Sequence, residues 1–560
     1  MLDVMTTNFT PSLRAAGLLA AISLLGSAVQ AQPSSSNNVL TGTNVSATTG
    51  AISTSLNGFG FVNHGLVGVG RIAATALDNW GESLGSVSGL QVTNWTNQGN
   101  GSYAGVFNIL PDRGYNGGTP ATFSNYASRV QTVDFSFTPY TGGATSGVAQ
   151  NQFALTYNGA TSYKFTYGSG TTTTGLVPDS STTLGGRTVP YVTTSSGTAP
   201  TTTPFTTGTN TINKITVDAE ALVLKNDGSG WIGDEYGANV YHFNSSKVID
   251  GVLGQPAATV PNGTPAYSSE ASNTAGRRGN QGMEGIALNP AGTKLYGLMQ
   301  SALVQDSGTG NQGRFNTRLM VWDVSSNGTP SAISAEYVLQ LPIGNDTGSG
   351  AANRNFAQSE IIAIDDTHIL VLARDGNGKG TSTALAPVYK SVLLVDLAAA
   401  TNIAGTAYDN TGGDITTTGS TLNAGITAVS WVEAVNLLNT AQLGKYSLNV
   451  NGGTTADLNS LSEKWEGMSL VPTGVDGEYF LFVANDNDFI SGATKMVGLD
   501  GSTINTYNVV GDNGLPVQND TMFLAYRVSL GTSAIPEPST YAALAGSAIL
   551  AFAAIRRRRS

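Results

Sequence analysis

The chain has 560 residues, of which 40% are hydrophobic and 11% are charged, with 70 glycines, no cysteine and a formal net charge of −11. The absence of cysteine excludes disulfides, thiolate metal sites and thiol nucleophiles, and the hydrophobic content excludes a chain that is disordered throughout. The glycine content argues against a mainly helical protein, and the negative charge argues against a nucleic-acid partner.

The N-terminal segment has the pattern of a secretory signal peptide. Arg14 precedes an apolar run, and small residues follow it, with Val29 and Ala31 at the −3 and −1 positions of a cleavage site before Gln32. Such a run is too short to remain as a membrane span. The sequence therefore predicts a signal peptide over residues 1–31 and export of the mature chain.

Composition divides the following residues into a leader and a long folded region. Residues 32–60 are rich in Ser, Thr and Asn with little periodicity, and they predict a solvated leader. Residues 61–530 contain short alternating apolar runs that end in turn residues, a pattern typical of a β domain. Within that region, residues from about 158 to 213 are rich in Thr, Ser and Gly and predict an insertion or a long surface loop.

An internal repeat is the main indication of architecture. Four segments share an order of Glu, strand, turn, strand and polar cluster. Their leading residues are Glu220, Glu284, Glu360 and Glu466, and their polar clusters are Asp234-Glu235, Gln300, Arg374-Asp375 and Asn485-Asp486-Asn487-Asp488. The open ends of an antiparallel hairpin lie together, so each Glu is expected beside its polar cluster. An earlier segment, from Gly85 to Gly114, fits loosely but lacks the Glu.

Radial repetition of short antiparallel sheets is typical of a β-propeller, in which equivalent positions converge on a central axis. The spacing between the leading Glu residues varies, which suits blades with outer loops of different lengths. We therefore predict an all-β fold, a β-propeller of short antiparallel blades, flanked by the signal peptide and a C-terminal apolar anchor helix. The alternative is an irregular β-sandwich or solenoid in which the hairpins repeat by coincidence.

The C-terminus carries three features in order. Pro536-Glu537-Pro538 precede an apolar stretch, and a cluster of four arginines follows it. Together these features resemble the PEP-CTERM sorting signal of Gram-negative bacteria, over residues 536–560. The resemblance implies export to the cell surface, the extracellular matrix or a membrane-anchored state, with an exosortase-type enzyme as a processing partner. The alternative is a simple tail anchor, so the predicted membrane contact is transient or permanent.

The folded region resembles the phytase-like domain, also described as esterase-like activity of phytase, over roughly residues 65–530. The motifs that carry the resemblance are VGRIAA at Arg71, Ser88-Gly89-Leu90, Asp112-Arg113-Gly114, Asp234-Glu235-Tyr236-Gly237, GNQGMEGIAL, SEIIAI with Ala373-Arg374-Asp375, and KWEG with NDND. The resemblance implies a propeller and the hydrolysis of phosphoesters or esters. Ala373 departs from the family's pattern, in which an acidic residue commonly precedes Arg-Asp, and this departure puts one carboxylate ligand in question.

The converging residues predict a cation site for an anionic ester. Clustered carboxylates repel one another unless they bind protons, bases or a hard cation, which favours a divalent ion such as Ca²⁺. The predicted catalytic residues are Glu220, Glu284, Glu360 and Glu466, the predicted metal ligands are Asp234, Glu235, Asp375, Asp486 and Asp488, and the predicted substrate-binding bases are Arg113, Arg278, Arg374 and Lys464. The alternative for each Glu is a scaffold role, in which a buried acid accepts hydrogen bonds from backbone amides of neighbouring blades.

Two functions of different class remain open. The first is an exported, metal-assisted hydrolase of phosphate esters or related small esters, in which the cation polarises the phosphoryl oxygen and arginines hold the other oxygens. The second is a non-catalytic propeller at the cell surface that binds exopolysaccharide or another exported protein. Charged residues concentrate at one end of the repeat in a chain that is poor in charge, and this favours the enzyme.

Overall fold

The structure is a computed structural model, and it describes residues 32–114, 124–143, 145–195, 210–263, 267, 273–380, 385–509 and 518–531. The predicted signal peptide and the predicted PEP-CTERM tail lie outside the described residues. None of the helices in the described part of the chain has the length and apolar character needed to span a membrane. Strands account for most of the regular structure, so the all-β class is confirmed.

The described residues form 31 strands. Strands β1 to β12 are Ile52–Leu56, Phe59–Ile72, Gly89–Asn97, Tyr103–Leu110, Arg129–Phe137, Phe153–Tyr157, Tyr163–Lys164, Thr166–Tyr167, Thr171–Thr172, Ser180–Leu184, Arg187–Ser195 and Asn210–Ile215. Strands β13 to β22 are Ala219–Leu224, Gly230–Asp234, Asn239–Phe243, Val248–Val252, Met283–Leu288, Lys294–Met299, Asn316–Asp323, Ala335–Gln340, Ile343–Gly344 and Arg354–Asn355. Strands β23 to β31 are Ala357–Ala363, His368–Arg374, Lys390–Asp396, Ser430–Asn436, Trp465–Pro472, Glu478–Asn485, Thr494–Val497, Ile504–Tyr507 and Thr521–Leu530. The helix α1 spans Thr440–Lys445, and 3₁₀ turns lie at Ala257–Thr259, Asn311–Gly313, Ala407–Asp409 and Gly453–Thr455.

Five large sheets form the body of the described chain. Sheet I has the order β3-β4-β5-β6, sheet II β13-β14-β15-β16, sheet III β17-β18-β19-β20, sheet IV β23-β24-β25-β26 and sheet V β27-β28-β31-β2-β1. Sheet II is extended at its outer edge by β8, which pairs in parallel with β16, and then by β9. In sheet V, β31 lies between β2 and β28, so this sheet joins an early and a late part of the chain.

The first strand of each sheet is in contact with the first strands of two other sheets. β3 contacts β13, β13 contacts β17, β17 contacts β23, β23 contacts β27, and β27 contacts β3. Hydrophobic cores lie between consecutive sheets: Phe107 of sheet I shares a core with Phe482 of sheet V, and Trp231 of sheet II shares one with Met320 of sheet III. Because sheets are covered on both faces, strands such as β24 and β25 are buried at nearly every position.

The leader is bonded to the body, in contrast to the solvated segment expected from its composition. The N–H of Ser35 donates to the Trp431 carbonyl at 2.8 Å, that of Leu40 to Ile343 at 2.8 Å, and that of Asn44 to Val388 at 2.7 Å. Ser35 therefore lies beside β26, the edge strand of sheet IV, whereas Leu40 pairs with β21 and Asn44 with the residue two before β25. An edge strand offers unpaired backbone groups, and a polar segment can cover it without an apolar pattern of its own.

The Thr-rich region is also more regular than a surface loop. In its described part, β7 pairs with β5, β8 and β9 extend sheet II, and β10, β11 and β12 form a separate three-stranded sheet. Val189 and Ile215 are buried in the core between sheets I and II. Thr is β-branched and suits strands, so its abundance is compatible with exposed strands.

Candidate functional site

Three of the four leading Glu residues lie in equivalent β-bulges, each at the start of the first strand of its sheet. The pairing of β13 with β14 skips Glu220, that of β17 with β18 skips Glu284, and that of β27 with β28 skips Glu466. All three side chains are buried. A bulge leaves one residue out of the ladder and re-aims its side chain, so the three acids are directed by the same local geometry.

The third repeat is offset by one residue. The pairing of β23 with β24 skips Ser359, so Ser359 is the equivalent of the bulged Glu residues and Glu360 is the next residue along. The Glu360 carboxylate accepts the N–H of Ile361 at 2.9 Å and the N–H of Leu90 in sheet I. It also lines a cavity of about 270 Å³ between the inner strands. The equivalence of Glu360 with the other three, expected from the repeat, is therefore wrong by one position.

A second set of equivalent positions lies at the end of the second strand of each hairpin or directly after it. In each hairpin, the residue just before the bulge pairs with a residue on the second strand. The residue that follows this partner is Glu235 in sheet II, Gln300 in sheet III, Arg374 in sheet IV and Asp486 in sheet V. In sheet I, where β3 has no bulge at its start, Asp112 lies two residues after β4. These side chains reach the bulged residues: Gln300 Nε2 donates to Glu284 Oε1 at 2.6 Å, and Arg374 Nη2 donates to Glu466.

Carboxylate oxygens from the two sets lie close enough together to hold a metal ion. Among the described residues, three groups offer oxygens that all lie within 4.8 Å of one another. These groups are Glu220-Glu235-Glu284, Asp112-Asp218-Glu220 and Asp112-Asp486-Asp488. Because Glu220 and Asp112 each belong to two groups, the acids form one continuous arrangement, which we call the acidic cluster.

Burial and mutual repulsion disfavour the ionised acids of this cluster. Burial, and then the neighbouring Glu284, raise the pKa of Glu220 well above its usual value. Burial also raises the pKa of Glu284 and of Glu235, with further contributions from nearby carboxylates. Oε1 of Glu235 and Oε2 of Glu284 are buried and have no hydrogen-bond partner in the described part of the chain. A hard cation would satisfy these oxygens and keep the carboxylates ionised.

Two predicted substrate-binding bases border the cluster with firmly held side chains. Arg113 Nη1 lies 2.8 Å from Asp218 Oδ2, and its guanidinium carbon lies 5.5 Å from the centre of the Tyr236 ring. Lys464 Nζ lies 2.7 Å from Asp488 Oδ1. Lys464 is the more accessible of the two, with 30% of its side chain exposed against 13% for Arg113.

The other two predicted bases differ in their surroundings. Arg374 pairs with Glu466, and its Nε donates to Ser359 Oγ at 3.0 Å, so it contacts the bulged residues of sheets IV and V. Arg278 Nε donates to Ser307 Oγ at 3.2 Å. The neighbouring Arg277 is buried, and its charge opposes the rise that burial causes in the pKa of Glu235.

Two predicted metal ligands are surrounded by donors. Asp234 accepts the N–H groups of Asp218, Tyr236 and Gly237 at 2.9 to 3.2 Å, and Asp375 accepts the N–H groups of Val388 and Tyr389 and the Nζ of Lys390. Burial raises the pKa of Asp234 to about 7 although its backbone donors act in the opposite direction. These carboxylates hold the turns that follow β14 and β24, and they offer few free lone pairs.

Three acids that lie beside the predicted metal ligands were not predicted as site residues from the sequence. Asp112 lies in the hairpin that lacks a leading Glu, and burial raises its pKa to about 7. Asp218 precedes Glu220 by two residues, a spacing that predicts side chains on one face of a regular strand. In the structure Asp218 precedes β13 and Glu220 is in the bulge, and their oxygens still lie in one group. Glu463 is hydrogen-bonded to the side chain of Asp488. No local pattern in the sequence distinguishes Glu463.

The fold and the site define an all-β protein with buried acids where the first strands of its five sheets meet. The chain belongs to the phytase-like family, described as esterase-like activity of phytase, whose family model matches residues 83–489. The family predicted from the motifs is therefore confirmed. The chain is also 29% identical over 461 residues to an uncharacterized secreted protein of Arthroderma benhamiae, and the match covers 76% of this chain and 87% of that protein.

Similarity to solved structures is low. A luciferin-regenerating enzyme is 10% identical with a TM-score of 0.26, and the match covers 83% of this chain and 95% of that chain. Sqt1 of Saccharomyces cerevisiae is 8% identical with a TM-score of 0.25, covering 83% of this chain and 99% of that one. Likeness at this level supports no conclusion about the site.

Proposed function

We propose that the protein is an exported hydrolase of phosphate esters or related small esters that uses a divalent cation held by the acidic cluster. The observation that carries the proposal is the pair of buried oxygens without donors, Glu235 Oε1 and Glu284 Oε2, in a group with Glu220. A buried charge without a partner is costly, whereas Ca²⁺ takes about six to eight oxygen ligands. Membership of a family described by esterase-like activity agrees with this proposal.

The proposed roles follow the contacts of each side chain. Glu220, Glu235 and Glu284 hold the cation, which supplies Lewis-acid polarisation of the ester oxygen when bound. Arg374 is positioned by Glu466, and Lys464 by Asp488, so both present fixed donors to the negative oxygens of a small anionic ester.

The proposed ligand set differs from the set predicted from sequence. Asp112 and Asp218 join it because their oxygens lie in the same groups as Glu220. Glu360, Asp234 and Asp375 are assigned to the scaffold, since backbone N–H groups already bind their oxygens. Asp486 remains a ligand beside Asp112.

We also propose that the five sheets are the blades of a β-propeller. The closed set of contacts among β3, β13, β17, β23 and β27, together with cores between consecutive sheets, supports this architecture. Sheet V would then be the blade that joins strands from both ends of the described chain. The acidic cluster would lie at one end of the central axis.

Export is proposed from the two terminal segments. The N-terminal pattern and the tail after Pro536 support it, and the Arthroderma protein of similar sequence is called secreted. An exosortase-type enzyme would process the tail near residue 536, and until then the apolar stretch would contact the membrane. Mass spectrometry of the protein from a host with that enzyme tests this step, and an intact Arg-terminated chain would contradict it.

Calcium-dependent turnover tests the activity. The purified protein is freed of metal, and its hydrolysis of a chromogenic phosphomonoester and a chromogenic carboxylic ester is followed as calcium is added and then chelated. Turnover that appears with calcium and disappears with chelator, while the circular dichroism spectrum is unchanged, is the expected result. Calcium binding without turnover of either ester would overturn the hydrolase and favour the non-catalytic surface propeller.

A further inference from the structure

The segment just before β3 repeats the arrangement of the bulged Glu residues, with a serine in place of the acid. In sheets II, III and V, the residue after the bulged Glu pairs with a residue that precedes the second-set position by two. These pairs are Ala221 with Gly233 before Glu235, Gly285 with Leu298 before Gln300, and Gly467 with Ala484 before Asp486. In sheet I, Gly89 pairs with Leu110, and Asp112 follows Leu110 by two residues. Ser88 therefore has the position of the bulged Glu residues.

The backbone hydrogen bonds agree with this correspondence. The N–H of Glu235 donates at 2.9 Å to the carbonyl of Asp218, two residues before the bulged Glu of sheet II. The N–H of Asp112 likewise donates to Ser86, two residues before Ser88, but to its Oγ at 3.3 Å. Because a side-chain acceptor replaces the carbonyl, no backbone pair precedes Ser88, and the ladder of sheet I begins at the next residue.

Close approaches between the sheets place Ser88 between two of the bulged acids. β3 contacts β13 on one side and β27 on the other. A Cβ on Gly89 would lie 3.0 Å from the backbone of β13, at the second residue after Glu220. A Cβ on Gly467, the residue after Glu466, would lie 2.9 Å from a side chain of β3. Glycine permits these approaches, which hold Ser88 at the level of Glu220 and Glu466.

The Ser88 hydroxyl is buried without a partner. The residue is 0% exposed, and its Oγ has no hydrogen-bond partner among the described residues. The bulged Ser359 of sheet IV differs, because its Oγ accepts Arg374 Nε at 3.0 Å. A buried hydroxyl that makes no hydrogen bond costs free energy. An ester carbon cannot reach an oxygen with no exposed surface, whereas an ion held among buried carboxylates can contact it.

We propose that Ser88 Oγ is a neutral ligand of the divalent cation held by the acidic cluster, an inference that rests on the proposed cation site. A serine hydroxyl has two lone pairs and one proton, so Oγ can bind an ion while its O–H donates to a carboxylate. Ca²⁺ combines carboxylates with neutral oxygens, and a neutral ligand adds no charge to acids that already repel one another. Sheet I, which lacks a leading Glu, would then contribute to the site through Ser88 and Asp112.

Calcium titration of the full-length protein and two matched variants tests the proposal. Ser88→Ala and Ser359→Ala each remove a buried hydroxyl from an equivalent position, but only the first hydroxyl lacks a partner among the described residues. The rise in melting temperature with calcium measures the affinity. Ser88→Ala is expected to bind calcium about tenfold more weakly, and Ser359→Ala should differ from the parent by less than about twofold. Unchanged affinity in Ser88→Ala, or equal losses in both variants, would overturn the ligand.

A cysteine substitution separates direct ligation from a structural role. The chain has no cysteine, so Ser88→Cys introduces its single thiol. A thiolate prefers soft ions, and Cd²⁺ is softer than Ca²⁺ while similar in size. Relative to calcium, cadmium affinity is expected to rise about tenfold over the parent in Ser88→Cys, with the ultraviolet absorption of a cadmium thiolate. Ser359→Cys is the control and should show neither change. Equal preference for the two ions in Ser88→Cys and the parent would contradict ligation.

The ligand and the hydrolase fail separately in these measurements. Metal binding is followed without an ester, so a parent protein that binds calcium through Ser88 but turns over no ester would overturn the hydrolase alone. Calcium-dependent turnover in the parent, with unchanged calcium affinity in Ser88→Ala, would overturn the ligand alone. Melting temperatures of the metal-free variants near that of the parent show that they fold.

Discussion

Asp375 in sheet IV and Glu284 in sheet III are both buried acids near the inner ends of their hairpins, but their surroundings are opposite. Asp375 accepts the ammonium of Lys390 at 2.8 Å and the N–H of Tyr389 at 2.9 Å. Glu284 accepts one hydrogen bond, from Gln300, and its other oxygen has no partner among the described residues. Its remaining charged neighbours include Glu235 and Glu220.

This difference separates acids that stabilise the fold from acids that are available to a ligand. A buried carboxylate with a full set of donors is part of the scaffold, and its removal leaves the donors unpaired. A buried carboxylate among other acids has a raised pKa and gains from a cation. Burial alone therefore does not identify a metal ligand in this protein, whereas the supply of donors does.

The largest expected effect is a loss of stability when the scaffold acid, Asp375, is replaced. In Asp375→Asn the buried ammonium of Lys390 loses its counter-charge, and we expect the free energy of unfolding to fall by about 3–5 kcal/mol. Urea unfolding measures it. Asp366→Asn is the matched control, because Asp366 pairs with Lys294 at the surface and should cost less than about 1 kcal/mol. A stable Asp375→Asn protein that no longer responds to calcium would reverse the assignment.

Glu284→Gln should have the next largest effect, on calcium rather than on folding. Gln keeps the contact with Gln300 but removes one charged ligand, so we expect calcium affinity to fall by about 100-fold. The rise in melting temperature on calcium titration measures this. Glu360→Gln is the control, since Glu360 binds backbone N–H groups outside the cluster. A calcium response lost in Glu360→Gln and kept in Glu284→Gln would disprove the proposed ligand set.

The pH dependence of stability should differ with and without calcium. Burial raises the pKa of Glu220, Glu235 and Glu284 above the value of the unfolded chain, so their contribution to stability is complete below about pH 4.5. It is lost as the pH rises through the raised pKa values, by at most about 1.4 kcal/mol per pH unit for each titrating group. Calcium should flatten this slope. Denaturant unfolding from pH 5 to 8, with chelator or calcium, tests it, and identical slopes would contradict a cation at the cluster.

The sheets could be predicted from the sequence because the signals for them are local. Apolar alternation, turn residues and a leading Glu mark four of the five hairpins, and the strands β13, β17, β23 and β27 begin close to those Glu residues. The positions of the bulges could not be predicted in this way, because no local signal determines them. Either Ser359 or Glu360 could be the unpaired residue of the bulge, because both alternatives agree with the sequence of the repeat. The packing of β23 against its neighbours decides between them, and in the structure Ser359 is unpaired.

The roles of the acids could be predicted only in part, because their partners are distant in sequence. Meeting hairpin ends account for Glu220 beside Glu235, because both lie at the open end of the β13–β14 hairpin. Glu284 belongs to the β17–β18 hairpin, and it lies near them because β13 contacts β17. The repeat could not show that Lys390, the first residue of β25, pairs with Asp375. Nor could composition show that a polar leader covers an edge of sheet IV, because backbone hydrogen bonds leave no pattern in side-chain hydropathy.

The smallest expected effect concerns the leader, through Glu433. This buried carboxylate accepts hydrogen bonds from Ser391 Oγ at 2.7 Å and from Asn44, and burial raises its pKa to about 7. Asn44→Ala removes a donor to the ionised form and should cost about 1 kcal/mol of unfolding free energy. The loss should be greater at pH 8 than at pH 5, because the missing donor raises the pKa of Glu433 further. Asn38→Ala is the control in the same leader: its Nδ2 donates to the Leu341 carbonyl, so any loss should not vary with pH. A loss in Asn44→Ala that is equal at both pH values would show that Glu433 does not ionise in the folded protein.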